Sequence, residues 1–158
     1  GIDMAENVLK VAKMHALSSK LDIDYQQTTA EAAAETMPGQ FDVVTCMELL
    51  EHVPDPQSLI KACATLVKPG GKLFFSTINR NVKAYLMSIV GAEYIMRMLP
   101  KGTHDYDKFI KPSELEAWLS EANVNLKQLK GMSYQPLSKN FKLSDNVSVN
   151  YLAFAELD

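Results

Sequence analysis

An α/β fold built on a Rossmann-like, largely parallel sheet is what this sequence predicts, and three features carry that reading. Strand-like and helix-like segments alternate through the first three quarters of the chain, the pattern of βα units. Phe41-Asp42-Val43-Val44-Thr45-Cys46 is an apolar, β-branched run, the composition of a parallel strand buried on both faces. The chain then closes with two strand-like segments around a polar loop, which predicts a C-terminal antiparallel hairpin.

Each element has its own local reason. Ala5 to Ser18 reads as a helix, with Val8, Leu9, Ala12, Ala16 and Leu17 on one apolar face. Ile23 to Thr28 reads as a short strand with a polar face. Ala30 to Thr36, rich in alanine and glutamate, reads as a short helix ended by Pro38-Gly39. After the Phe41 strand, Asp55-Pro56 supplies an N-cap and a proline at the first helical position. Leu59, Ile60, Cys63, Leu66 and Val67 follow at helical spacing until Lys68-Pro69-Gly70-Gly71 stops them, and Lys72 to Thr77 forms the next strand. Lys83 to Leu99 is apolar almost all round and is broken by Pro100-Lys101-Gly102. Pro112 to Ala122 is a helix whose buried face is Leu115, Trp118 and Leu119. Val124 to Tyr134 and Val147 to Glu156 are strands flanking the Ser/Asn/Lys-rich stretch from Leu137 to Asn146.

Composition narrows the function. The 158 residues make one domain, with 47% hydrophobic and 22% charged residues as in ordinary globular proteins. A net charge of -3 argues against a nucleic-acid partner, which calls for a basic patch or stripe. Cys46 and Cys63 fall in a predicted strand and a predicted helix, and so read as buried thiols rather than a disulfide, as in a reducing compartment. No secretory signal pattern, internal repeat or low-complexity tract appears in these residues.

The segment Phe41 to Arg80, strand, acidic turn, capped helix, Pro-Gly-Gly turn and strand, resembles the middle of a class I S-adenosylmethionine-dependent methyltransferase. Three motifs narrow the resemblance: Cys46-Met47-Glu48-Leu49-Leu50-Glu51-His52-Val53-Pro54-Asp55-Pro56, Ser76-Thr77-Ile78-Asn79-Arg80-Asn81, and Pro100-Lys101-Gly102-Thr103-His104-Asp105. Together they resemble the ubiquinone-biosynthesis O-methyltransferase family, whose members methylate polyprenylated catechols, and the likeness runs over essentially the whole chain. It implies S-adenosylmethionine as cofactor and a polyprenylated phenol or quinol as substrate. A ubiquinone-biosynthesis enzyme assembly and a membrane surface are the further partners it brings to mind, with a cytoplasmic location peripheral to the inner membrane. Methyltransferases of this class open with a strand and a glycine-rich loop, which lets the backbone approach the cofactor. No G-x-G pattern occurs among these glycines, and Gly1-Ile2-Asp3-Met4 resembles the end of the family's second strand. The expectation is therefore a single incomplete domain, residues 1–158, truncated at its N-terminus.

Six residues invite chemistry. Asp3 ends a predicted strand; by position alone it reads as a helix cap, and the resemblance assigns it to the cofactor's ribose hydroxyls. Met47 lies just past the carboxyl end of the next strand, where open α/β sheets bind ligands; the resemblance turns it toward the cofactor, and the alternative is a core methionine. If Met47 to Val53 is helical, Glu48, Glu51 and His52 share a face, and two carboxylates with an imidazole can hold a divalent cation such as Mg2+. Such an ion would acidify and orient a phenol; the alternative is that Glu48 and Glu51 are solvated and His52 bonds locally. Without a metal, either His52 or His104 could serve as general base.

The stretch at residues 82–105 reads as an insertion that is a lid or a membrane contact. Its apolar helix is shorter than the roughly 20 residues of a membrane span, and Arg80, Lys83, Arg97 and Lys101 flank or punctuate it. That suits a helix lying on an anionic surface or over an apolar substrate channel. Two rival functions remain: another class I enzyme such as a quinone C-methylase, and a methyltransferase-like domain that only binds.

Overall fold

The computed structural model describes residues 1–86, 105–135 and 139–158. Two sheets organise it. The larger has five strands in the order β3-β4-β7-β5-β6, and the smaller pairs β1 with β2. These strands are β1 (Ile2–Asp3), β2 (Gln26–Gln27), β3 (Phe41–Met47), β4 (Val67–Ile78), β5 (Val124–Gln135), β6 (Asn140–Ser144) and β7 (Asn150–Leu157). The described helices are α1 (Glu6–Ser18), α2 (Ala30–Thr36), α3 (Pro56–Leu66), α4 (Val82–Ala84) and α5 (Pro112–Glu121). β3 and β4 run parallel, while β7 is antiparallel to both β4 and β5. The expected α/β class and C-terminal antiparallel strands are thus present.

The local signals placed the helices well. Asp55 caps α3 by accepting the Ser58 amide at 3.0 Å, with Pro56 at the first helical position. Thr29 caps α2 through the Ala32 amide at 3.1 Å. Leu73 and Phe75 alternate along β4 toward Tyr151, Ala153 and Ala155 of β7, and Leu59, Ile60 and Cys63 of α3 and Leu115 and Leu119 of α5 complete this core. Tyr151 is fully buried, and its hydroxyl donates to the Ile110 carbonyl at 3.0 Å. Burial first, then the charges of Glu114 and Glu51, push its phenol far above the ordinary range.

Four expectations are corrected. β3 is the edge of its sheet rather than a strand buried on both faces: Phe41, Val43 and Met47 are exposed, because β4 is its one partner. On α1 the expected apolar face is only partly covered; Leu9 and Ala16 are buried, while Val8 and Leu17 face solvent together with Val11 and Met14. The short strand before α2 is Gln26–Gln27 alone. The C-terminal strands do pair, as expected, but the polar stretch between them contributes β6, which lies along the outer edge of β5. Pro69-Gly70-Gly71 lies inside the irregular start of β4, where the register jumps from Phe41↔Val67 to Val43↔Lys72. Gly71 is obligatory there: a Cβ would sit 2.5 Å from Val67 Cγ2 and 2.8 Å from the Lys68 carbonyl oxygen.

Cys46 and Cys63 are both free and buried, as the spacing suggested. The hydrogen bond with Cys46, then burial, raise the Cys63 thiol far above its ordinary value, so it stays protonated and inert. The apolar helix expected over Lys83 to Leu99 lies mostly outside the described residues. Its start, α4, rests on the core through Ala84, beside Ile78 and Phe109, and Tyr85 meets Tyr106 edge-on with centroids 5.5 Å apart.

Candidate functional site

A groove of about 580 Å³ runs along β3 from Phe41 to Met47 and on to Glu48 and Leu49, with Gly1, Ile2 and Asp3 and residues of α2 and α3, among them Ala33 and Leu59, also lining it. Among the described residues neither β1 nor β3 is paired on this side: β1 is bonded to β2 alone, and β3 to β4 alone. The groove's end at Asp3, Met47 and Glu48 is the position at which open α/β sheets place ligands. Of the residues singled out from the sequence, Asp3, Met47 and Glu48 meet here, whereas Glu51 and His52 do not line the cavity.

Asp3 holds the chain at the entrance to α1. Its Oδ1 accepts the Ala5 amide at 2.7 Å, an Asx turn that commits one carboxylate oxygen and leaves the group a second for a ligand. The helix-cap reading of Asp3 is corrected: the N-cap of α1 is Ala5, without a side-chain cap bond, and Asp3 closes the turn ahead of it. Met47 ends β3 and is 47% exposed, a value that places it at the cavity wall rather than in the core.

The acidic turn is not the helix that the spacing suggested. Glu48 has a φ of 49°, the left-handed region that a side chain with a Cβ adopts at some cost. Only Leu50–His52 are helical, and the turn is a single one of 3-10 type. Ser76 Oγ donates to Glu48 Oε1 at 2.6 Å, and Thr77 Oγ1 donates to Glu51 Oε2 at 2.8 Å. Successive side chains on a strand point to opposite faces of the sheet, so neighbours Ser76 and Thr77 draw the two carboxylates apart. Glu51 is 4% exposed, and burial pushes its carboxyl above the ordinary value; His52 stays exposed. Among the described residues no three His, Cys, Asp or Glu side chains are grouped to hold an ion. The structure thus does not bring Glu48, Glu51 and His52 onto one face as the helical spacing suggested: each carboxylate accepts from its own hydroxyl, on opposite faces of β4.

The Ser76 to Asn81 motif has a role that its residue types alone did not signal. Beyond the two hydroxyls, Asn79 Nδ2 donates to the Val147 carbonyl and Asn81 Nδ2 to the Ser148 carbonyl, each at 2.9 Å. Arg80 pairs with Glu114 at the start of α5. The motif thus ties the end of β4 to the loop before β7 and to α5. A run of amides and hydroxyls at a strand's carboxyl end is the signal that could have suggested it. His104, the other base weighed from the sequence, lies outside the described residues.

An α/β fold with a groove reaching the ends of its strands is of the class that binds nucleotides and cofactors there. The family is more specific: residues 1–129 match the methyltransferase domain model, and the chain belongs to that family. It is similar to a ubiquinone biosynthesis O-methyltransferase of Pseudomonas entomophila, 62% identical over 152 residues that make up 96% of this chain and 66% of the relative. A protein with the same description from Stutzerimonas stutzeri is also 62% identical over the same shares. The chain therefore spans 66% of the length of these curated relatives. Two solved structures share its fold. A SAM-dependent methyltransferase from Methanosarcina mazei superposes with a TM-score of 0.68 at 19% identity, covering 99% of this chain and 80% of that one. A magnesium protoporphyrin IX methyltransferase from Synechocystis, solved with bound SAH, gives 0.69 at 14% identity, covering 100% and 63%.

Proposed function

We propose that this chain is the larger part of an S-adenosylmethionine-dependent O-methyltransferase acting on a phenolic hydroxyl of polyprenylated ubiquinone precursors. The observation that carries the reading is 62% identity, over 96% of the chain, to a relative described as a ubiquinone biosynthesis O-methyltransferase. The end of the groove at Asp3, Met47 and Glu48 supports a place for the donor beside the strand ends. Asp3 would take the ribose hydroxyls, and Met47 would form part of the wall against the nucleoside. The donor supplies an electrophilic methyl group on a sulfonium centre. The protein's part is to align a phenolate oxygen with that methyl and to accept the phenolic proton, so orientation and proton removal carry the catalysis. His52 is exposed beside the acidic turn, and an imidazole suits proton transfer near neutral pH; His104 is the other base to test.

The unpaired edges of β1 and β3 support a second part of this reading: a further parallel strand, from residues ahead of Gly1, enters between them and brings the glycine-rich loop. Calorimetry tests it by comparing S-adenosylmethionine binding to residues 1–158 with binding to an upstream-extended chain. The extended chain is expected to bind in the micromolar range and the shorter one weakly or not at all. Equal affinity would remove the missing strand from the account.

The insertion at residues 82–105 is read as a lid or membrane contact that admits the polyprenyl tail. Support comes from its first residues, where Val82 and Leu86 are 71% and 53% exposed beside Lys83. No helix among the described residues is long and apolar enough to cross a membrane. A surface contact predicts that replacing Ile89 and Ile95 with serine lowers co-sedimentation of the full-length protein with anionic liposomes and leaves its melt intact. Unchanged co-sedimentation with a lowered melting temperature would make the segment structural only.

A further inference from the structure

The strained turn at the cavity wall is held by one residue of β4, Ser76. Glu48 sits at a φ of 49° between Met47 and Leu49, and all three residues line the cavity. A non-glycine residue persists in such a conformation only where its surroundings over-determine it. Here they do, and every bond comes from Ser76. The Glu48 amide donates to Ser76 Oγ at 2.9 Å and to the Ser76 carbonyl at 3.2 Å. The same hydroxyl donates onward to Glu48 Oε1 at 2.6 Å. The result is a closed ring running from the amide of Glu48, through the hydroxyl, back to its own carboxylate. Ser76 is 4% exposed, so water competes little for its hydroxyl. Met47 and Leu49, 47% and 42% exposed, flank the ring and present their side chains at the crevice.

We propose that Glu48 is a positioning residue for the methyl donor: its ring with Ser76 fixes the Met47–Leu49 turn in the shape that the donor requires. The proposal rests on the reading that S-adenosylmethionine occupies this cavity. It needs the oxygen of the Glu48 side chain as a hydrogen-bond acceptor but not its charge. A cation ligand would need the charge, and that contrast makes the two roles separable.

The test uses the full-length protein and S-adenosylmethionine, with affinity from calorimetry, kcat and KM from methyl transfer, and thermal melts on every variant. Ser76→Ala and Glu48→Ala are each expected to weaken donor binding about tenfold, the loss of one charge-assisted hydrogen bond. The loss should appear in KM for the donor rather than in kcat. The double variant is expected to be no weaker than either single one, since both remove the same ring. Glu48→Gln, whose amide oxygen still accepts from Ser76, is expected to recover most of what alanine loses. Three results would overturn the proposal while leaving the cavity's occupant in place. They are unchanged binding in Ser76→Ala, a Glu48→Gln variant as weak as Glu48→Ala, and loss of donor affinity when EDTA is added to the wild type. A wild-type protein without affinity for the donor would overturn the reading of the cavity, and the proposal with it. Should Ser76→Ala fail to fold, the Glu48 pair decides by itself.

Discussion

The two ends of this molecule are finished to different degrees. Around β4, β5 and β7, the sheet is paired on both sides of β4 and β7, and α3 and α5 cover one face. Leu73, Leu115, Leu119 and Ala155 are completely buried there. Around β1, α1, β2 and β3 the opposite holds. Two strand edges have no partner among the described residues, and Val8, Val11, Met14 and Leu17 of α1 are 54% to 77% exposed. A contiguous apolar surface of that kind marks a place where something else packs. The difference teaches that the groove lies on the seam: one wall, the acidic turn, is hydrogen-bonded to β4, and the other, β1, is held by one two-residue strand pair.

The largest effect that would test this contrast comes from one truncation in each region. Phe75→Ala is expected to destabilise the chain by about 3–5 kcal/mol, since a buried ring leaves a cavity. Leu17→Ala should change stability by less than about 0.5 kcal/mol in residues 1–158. A chain extended upstream is expected to raise the cost of Leu17→Ala, because α1 would then have a partner. Denaturant melts of the four proteins measure this, and equal costs of Leu17→Ala in both lengths would break the comparison.

Next in size is Tyr151→Phe. It strips the Ile110 carbonyl of its buried donor, and the expected loss is about 1–3 kcal/mol by urea unfolding. A neutral result would mean that the Tyr151 ring alone, not its hydroxyl, joins β7 to the start of α5.

Glu51 provides the pH test. Its folded value is raised above the ordinary 4.5 by burial, so the folded state disfavours the ionised form. For a raised acid the contribution to stability is full below 4.5 and falls as pH climbs through the raised folded value. Glu51→Gln keeps an acceptor for Thr77 and removes the buried charge. Its melting temperature is therefore expected to gain on the wild type as pH rises from 4.5 to neutrality, then to hold a constant lead. A lead that shrinks over that range would show that Glu51 is stabilised as a carboxylate by a partner outside the described residues.

The smallest effect belongs to the exposed pairs. Lys68 lowers the carboxyl of Asp42, and Lys130 that of Asp145, through direct hydrogen bonds in solvent. Their contribution is present above 3.8 and fades as pH falls through the lowered values. Asp42→Asn and Asp145→Asn should leave the neutral-pH melt nearly unchanged, with any difference erased by salt.

The chain's own residues determined α2, α3 and α5 almost to the residue. Caps and prolines act within a single turn, and Thr29, Asp55, Pro56 and Pro112 sit beside the elements they start. That Asp3 and Met47 would lie at strand ends lining one groove was also legible, because such ends have a fixed place in an open α/β sheet. Only the tertiary structure decided the rest. β7 is inserted between β4 and β5, β6 grows from a polar loop, and β3 becomes an edge, all through pairings that no local pattern encodes. The acidic turn is the sharpest case. Helical spacing alone would gather Glu48, Glu51 and His52 on one face. Yet the hydroxyl partners of the two carboxylates lie 28 and 26 positions away in the chain, on neighbouring residues of one strand whose side chains diverge. Periodicity reports what a helix would do with its residues, and a strand arriving from a distance decided that these would not be a helix.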